Sequence, residues 1–139
     1  MRQSSFGENS NPWLENFLSQ LRAQKIIYQL KRIRRLETVA DFGCGYHAKL
    51  LNKIIILFPG VSQAVGIDLF VNSATTSPKI KLIKTDLNSH LPLSDNSFDV
   101  VICSAAIEHL SDYRQALRRN SSPIKARWLP DSDLARARQ

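Results

Sequence analysis

The sequence predicts an α/β fold, a partly parallel sheet with helices on both faces. Three observations carry that reading. Four short apolar runs, at 37–42, 63–69, 79–85 and 98–103, have the length and composition of strands. Helical or loop segments separate them, and such alternation builds βαβ units with right-handed crossovers. An acid also stands at or just past the end of the first three runs: Asp41, Asp68 and Asp86.

The elements follow in order. Residues 1–10 are polar and are expected to be disordered. Asn11 and Pro12 read as a helix N-cap followed by proline at the first helical position. Apolar residues then recur at Leu14, Phe17, Leu18, Leu21, Ile26, Ile27, Leu30 and Ile33, which predicts one long or broken helix over 12–35. The first strand spans 37–42. A helix over 48–58 follows, stopped by Pro59 and Gly60. The second strand covers 63–69, a weak helical turn or loop 71–77, and the third strand 79–85. A loop containing Pro92 leads to the fourth strand at 98–103, and 111–119 has helical spacing. Beyond 120 the pattern fails, and 120–139 reads as an irregular basic tail without a strand. The expected division is therefore a domain over 1–119, with its helical segment at 12–35 and its core at 36–119, and then the tail.

Composition narrows the class. The chain has 139 residues, 43% hydrophobic and 22% charged, ordinary values for one globular domain. No run approaches the ~20 apolar residues that span a bilayer, and no secretory signal opens the chain. Cys44 and Cys103 lack the spacing of a disulfide framework. They read as reduced packing residues in a cytoplasmic protein, set at strand ends where they are expected to approach each other. The net charge of +7 is uneven. Residues 1–35 hold seven Lys/Arg against two acids, net +5; residues 36–113 hold five against eight, −3; residues 114–139 hold seven against two, +5. Basic ends suit nucleic acid or an anionic surface. The plainer account is that Arg22, Lys25, Lys31, Arg32, Arg34 and Arg35 form the solvated face of a helix.

The residues that point to chemistry cluster at strand ends. After Asp41 the chain reads Phe42-Gly43-Cys44-Gly45-Tyr46-His47. Glycines two apart fit a turn with positive φ, or a place where a Cβ would meet a ligand. The carboxyl end of a first strand is where open α/β sheets bind nucleotides. Asp68 ends the next strand, and an acid there accepts both hydrogen bonds of a ribose diol. Asp86 follows the third strand, where a carboxylate accepts from an adenine amino group. The fourth strand enters Ser104-Ala105-Ala106-Ile107-Glu108-His109-Leu110. Glu108 and His109 are candidates for general acid–base work, or equally for capping the following helix. His47 is read as a residue that tolerates positive φ. No metal site is predicted, because Cys44, His47, Cys103 and His109 have no recognised ligand spacing.

Together these segments resemble a known family. Val-Ala-Asp-Phe-Gly-Cys-Gly, Val-Gly-Ile-Asp, Asp86-Leu87 ahead of Leu-Pro-Leu-Ser-Asp-Asn-Ser-Phe-Asp-Val-Val, and Glu108-His109-Leu110 occur in order over residues 36–118. They are similar to the successive motifs of class I S-adenosylmethionine (SAM) dependent methyltransferases, except that His47 stands where the family has a third glycine. The resemblance implies a Rossmann-like sheet in the order 3-2-1-4-5-7-6, of which about four of seven strands are expected here. It also implies SAM as cofactor and a small-molecule methyl acceptor. Asp41, Gly43 and Gly45 would line the methionine end of SAM, Asp68 would bind the ribose, and Asp86 with Leu87 the adenine. Ser104 and Ala105 would close the floor.

The family usually continues after the helix at 111–119 into a Pro-Gly-Gly turn and a fifth strand. This chain instead changes character near Arg118 and Arg119, which suggests a truncated gene or a shifted reading frame. On that reading the fourth strand lies at the sheet edge and invites self-association. Two rivals to an active methyltransferase stay open: a catalytically inactive SAM-binding fragment, and a basic nucleic-acid-binding module. No membrane span is expected under any of them.

Overall fold

The computed structural model of the chain describes residues 11–75, 77–89, 98–103 and 127–129. The predicted helix over 111–119, and Ser104, Ala105, Glu108 and His109, lie outside the described residues.

Five strands form one parallel sheet: β1 (Thr38–Phe42), β2 (Gln63–Asp68), β3 (Ile80–Lys84), β4 (Val100–Ile102) and β5 (Arg127–Leu129), in the order β3-β2-β1-β4-β5. This is the order the resemblance implies as far as it goes. Helix α1 (Pro12–Leu30) precedes β1, and α2 (Lys49–Leu57) joins β1 to β2. A 3-10 turn at Ser73–Thr75 lies between β2 and β3.

The first helix begins as its sequence requires. Pro12 occupies the first turn, and the Asn11 side chain accepts from the Trp13 N–H at 3.2 Å. It ends at Leu30, short of the predicted residue 35. Lys31, Arg32, Arg34 and Arg35 follow, all exposed. Beyond the helix Ile33 packs against the core and Leu36 lies in it.

Alternation along the strands sorts the core into two layers. On one face Val39, Ala64, Ile80, Val100 and Ile102 meet Ile26 and Leu30 of α1 and Leu51 and Ile54 of α2. On the other, Ala40, Phe42, Val65, Ile67 and Val101 pack with Phe98, and Leu87 leans against them. The strands begin in a common frame because Asp99 ties them. Its Oδ2 accepts from the Glu37 and Thr38 N–H groups at 2.9 and 3.0 Å, and its own N–H donates to Thr38 Oγ1 at 2.9 Å.

Two expectations are corrected here. The tail contains a strand, since β5 pairs in parallel with β4 through Val100–Arg127, Val101–Trp128 and Ile102–Leu129. The fourth strand is therefore interior, and the self-association expected through its open edge loses its basis. Three residues between Lys125 and Pro130 are too few to show a period of two, which hid the strand. Cys44 and Cys103 also belong to opposite layers of the sheet and remain free thiols.

Candidate functional site

The carboxyl ends of β1 and β2 carry the site. As β1 ends, Gly43 and Gly45 take φ of 81° and 78°, a region that side chains rarely enter. The turn folds the loop onto β2: Gly43 N–H donates to Ile67 O at 2.7 Å, and Cys44 N–H to the same oxygen at 3.2 Å. An ideal Cβ on Gly45 would meet nothing within 4 Å, so this glycine borders open space rather than packed protein.

Asp68 closes the arrangement from the other side. Its Oδ2 accepts from Gly45 N–H at 2.9 Å, and its Oδ1 from Leu69 N–H at 2.7 Å. The carboxylate thus fixes the position of the glycine loop while keeping further lone pairs for an acceptor role.

Asp41 is different in kind. It is 3% exposed, the one buried charged residue among those described. Burial, and then the neighbouring Asp68 charge, push its carboxyl up to about 7. The same surroundings act on Cys44: burial, then Asp41 and Asp68, push the thiol well above its ordinary value, so it stays neutral and is no nucleophile. Its Sγ lies 3.4 Å from Gly45 O.

The third-glycine position departs from expectation. His47 does not take positive φ; the left-handed residue is Ala48, at φ 46°. That turn leads directly into α2, which begins without a side-chain cap. His47 is exposed and stands edge-on to Tyr46, ring centroids 4.9 Å apart. Among the described residues no cluster of His, Cys, Asp and Glu is arranged to hold a metal ion.

Asp86 and Leu87 follow β3 and are more locally engaged. Asp86 Oδ1 accepts from Asn88 N–H at 2.8 Å and from Asn88 Nδ2 at 3.1 Å, which shapes its own turn. Leu87 is half-buried against the Phe42 layer. The structure therefore brings Asp41, Gly43, Gly45 and Asp68 together, and sets Asp86 and Leu87 at the end of the next strand but one in the sheet.

Two residues escaped the sequence reading. Asp99 ties β1 to β4, and nothing in Phe-Asp-Val-Val marks it as a latch. Gly66 sits opposite Asp41 in register, where a Cβ would lie 2.7 Å from Leu82 Cδ2 and 2.8 Å from Cys44 Sγ. A glycine inside a strand is itself a signal of close approach, and that signal was legible.

The methyltransferase domain family matches residues 40–122, more than half of the chain. This chain belongs to that family. Solved structures carry the same fold. A chain of the complex between the Haloferax volcanii Trm112 methyltransferase activator and a methyltransferase superposes with a TM-score of 0.62 at 20% identity, over 78% of this chain and 50% of that one. A SAM-dependent methyltransferase from Aquifex aeolicus gives 0.55 at 18% identity, over 83% of this chain and 69% of that one. The methyltransferase domain described here thus spans half the length of the Haloferax volcanii chain. Comparison with curated proteins finds no match. The strand order, the glycine loop and the family together make this a class I, Rossmann-like methyltransferase domain.

Proposed function

We propose that the chain binds SAM across the ends of β1, β2 and β3 and transfers its methyl group to a small molecule. One observation supports this most: a loop of two positive-φ glycines, open on its outer side, is held by Asp68 at the end of the adjacent strand. A close-approaching ligand fits that space, and a side chain would fill it. Asp41, Gly43 and Gly45 then face the methionine end, and α2 directs its uncapped, partly positive N-terminus toward the cofactor carboxylate. Asp68 accepts from the ribose diol, with Asp86 and Leu87 at the adenine. By resemblance to the family, Ser104 and Ala105 would close the floor, and Glu108 and His109 are the candidates for moving the acceptor's proton.

Bound SAM supplies an electrophilic methyl on a sulfonium. The protein's part is mainly alignment of nucleophile, methyl and leaving sulfur. A small acceptor is favoured over a nucleic acid because residues 36–113 are net negative, which repels phosphodiesters.

Calorimetric titration with SAM, alongside transfer of a labelled methyl to a panel of small acceptors, tests the proposal. Removing a hydrogen bond to a charged group costs about 1.5–3 kcal/mol, so Asp68→Ala is expected to weaken SAM binding roughly ten- to a hundred-fold. Binding without transfer to any acceptor selects the inactive fragment. Equal titrations for both proteins remove Asp68 from the site.

A further inference from the structure

Asp41 has a chemistry that the reading above does not use. It lies on the α2 face of the sheet, with side-chain-less Gly66 opposite it in register and Asp68 two residues further along β2. Among the described residues no hydrogen bond or ion pair reaches its carboxylate, although it is 3% exposed. A buried ionised carboxylate with no partner, beside a second carboxylate, is disfavoured twice over: by lost hydration and by like charge.

Nothing among the described residues relieves it. From β2 the facing charge is Asp68, itself engaged by Gly45 and Leu69 N–H groups. From the glycine loop it is the neutral Cys44 thiol, and His47 there is exposed. From α2 the charged residues are Lys49 and Lys53, both exposed; from β3 they are Lys81 and Lys84, also exposed. On β4, Ile102 is apolar and Cys103 belongs to the opposite layer. Among the described residues no counter-charge stands beside Asp41, and a proton is what neutralises it.

We propose that Asp41 holds a proton in the ligand-free site and releases it to solvent when cationic SAM enters, so that cofactor binding is coupled to deprotonation of this residue. The inference rests on the SAM reading of the site. The carboxyl O–H bond breaks, its electrons remain on Asp41, and the proton passes to buffer. SAM brings a sulfonium and an α-ammonium group, which replace the proton as the counter-charge. Burial and Asp68 set the carboxyl to about 7, so the exchange falls in the neutral range.

The coupling has a defined pH signature. Below the carboxyl's pKa the proton must be displaced, and affinity falls by about tenfold per pH unit. Above it the site is already ionised and affinity levels off. Calorimetry of the full chain with SAM, from pH 5.5 to 8.5 and in two buffers of different ionisation enthalpy, reads both affinity and protons. The cofactor's own amino group also titrates, so Asp41→Asn, which has no carboxyl proton, supplies the baseline. The expected result is roughly half a proton released per SAM at pH 7 beyond that baseline, and a flattened pH dependence in the variant. If Asp41→Asn fails to fold, the carbon-13 shift of the Asp41 carboxyl decides: it should titrate near neutrality alone and stay ionised with SAM. SAM binding whose affinity and proton count match the baseline at every pH overturns the coupling alone. No SAM binding at any pH overturns the SAM reading, and the coupling with it.

Discussion

Gly66 leaves no space for even one methyl group. Its missing Cβ would fall within 3.0 Å of Leu51 Cδ1 and closer still to Leu82 and Cys44. Leu82 and Leu51 have rotatable ends, but Cys44 is short and sits in the glycine loop. Gly66→Ala should therefore press the loop outward as well as strain the core. Overpacking of this size costs about 1–3 kcal/mol, which denaturant unfolding would register, together with weaker SAM binding. Unchanged stability and binding would show that the loop rests elsewhere. At this scale the sequence was legible where a residue type has a single use. Gly43 and Gly45 take the positive φ expected of them, whereas the tie from Gly45 N–H to Asp68 was not read from the sequence. It was less legible where backbone geometry chooses between neighbours. The left-handed position fell to Ala48 rather than His47 because the loop turns into α2 one residue later.

Among the elements, β1 to β4 lie within one or two residues of the apolar runs that predicted them. Central parallel strands are buried on both faces, so their sequences are continuous and apolar and easy to see. The edges were harder. β5 offers three residues, too few for periodicity, and α1 ends at Leu30 although its helical spacing runs on to Ile33, which packs against the core. The junction of β1 and β4 depends on Asp99. Burial raises its carboxyl, but hydrogen bonds from Glu37 and Thr38, with Arg35 nearby, outweigh that and hold it below the usual carboxylate range. Removing these partly exposed bonds should cost about 1–2 kcal/mol. Because the folded value is depressed, this stabilisation is present above the ordinary carboxylate pKa and is lost as pH falls through the lower folded one. Unfolding of Asp99→Ala and wild type should therefore differ at neutral pH and converge on acidification below about 4. A gap that persists in acid would mean that Asp99 acts by packing, not by charge.

For the whole molecule, charge and topology point the same way. The strand order 3-2-1-4-5 places the ends of β1 and β2 near the centre of the sheet, with Asp41 buried in β1 and Asp68 at the end of β2. Fourteen of the nineteen Lys/Arg residues lie in 1–35 and 114–139, away in sequence from those strand ends. The motif-bearing stretch read at 36–118 was legible because Gly43, Gly45, Asp68 and Asp86 stand at or just past the ends of strands. The fifth strand was not legible: residues 120–139 were expected to hold no strand, because Arg127–Leu129 carries no pattern of its own. The central claim is that the glycine loop and Asp68 hold SAM. Amide resonances of the isotope-labelled chain, followed as SAM is added, test it most directly. The account predicts saturable shifts at Gly43, Gly45 and Leu69, whose N–H groups line the loop and its Asp68 tie. Shifts confined to residues 22–35, or none at saturating SAM, would contradict it.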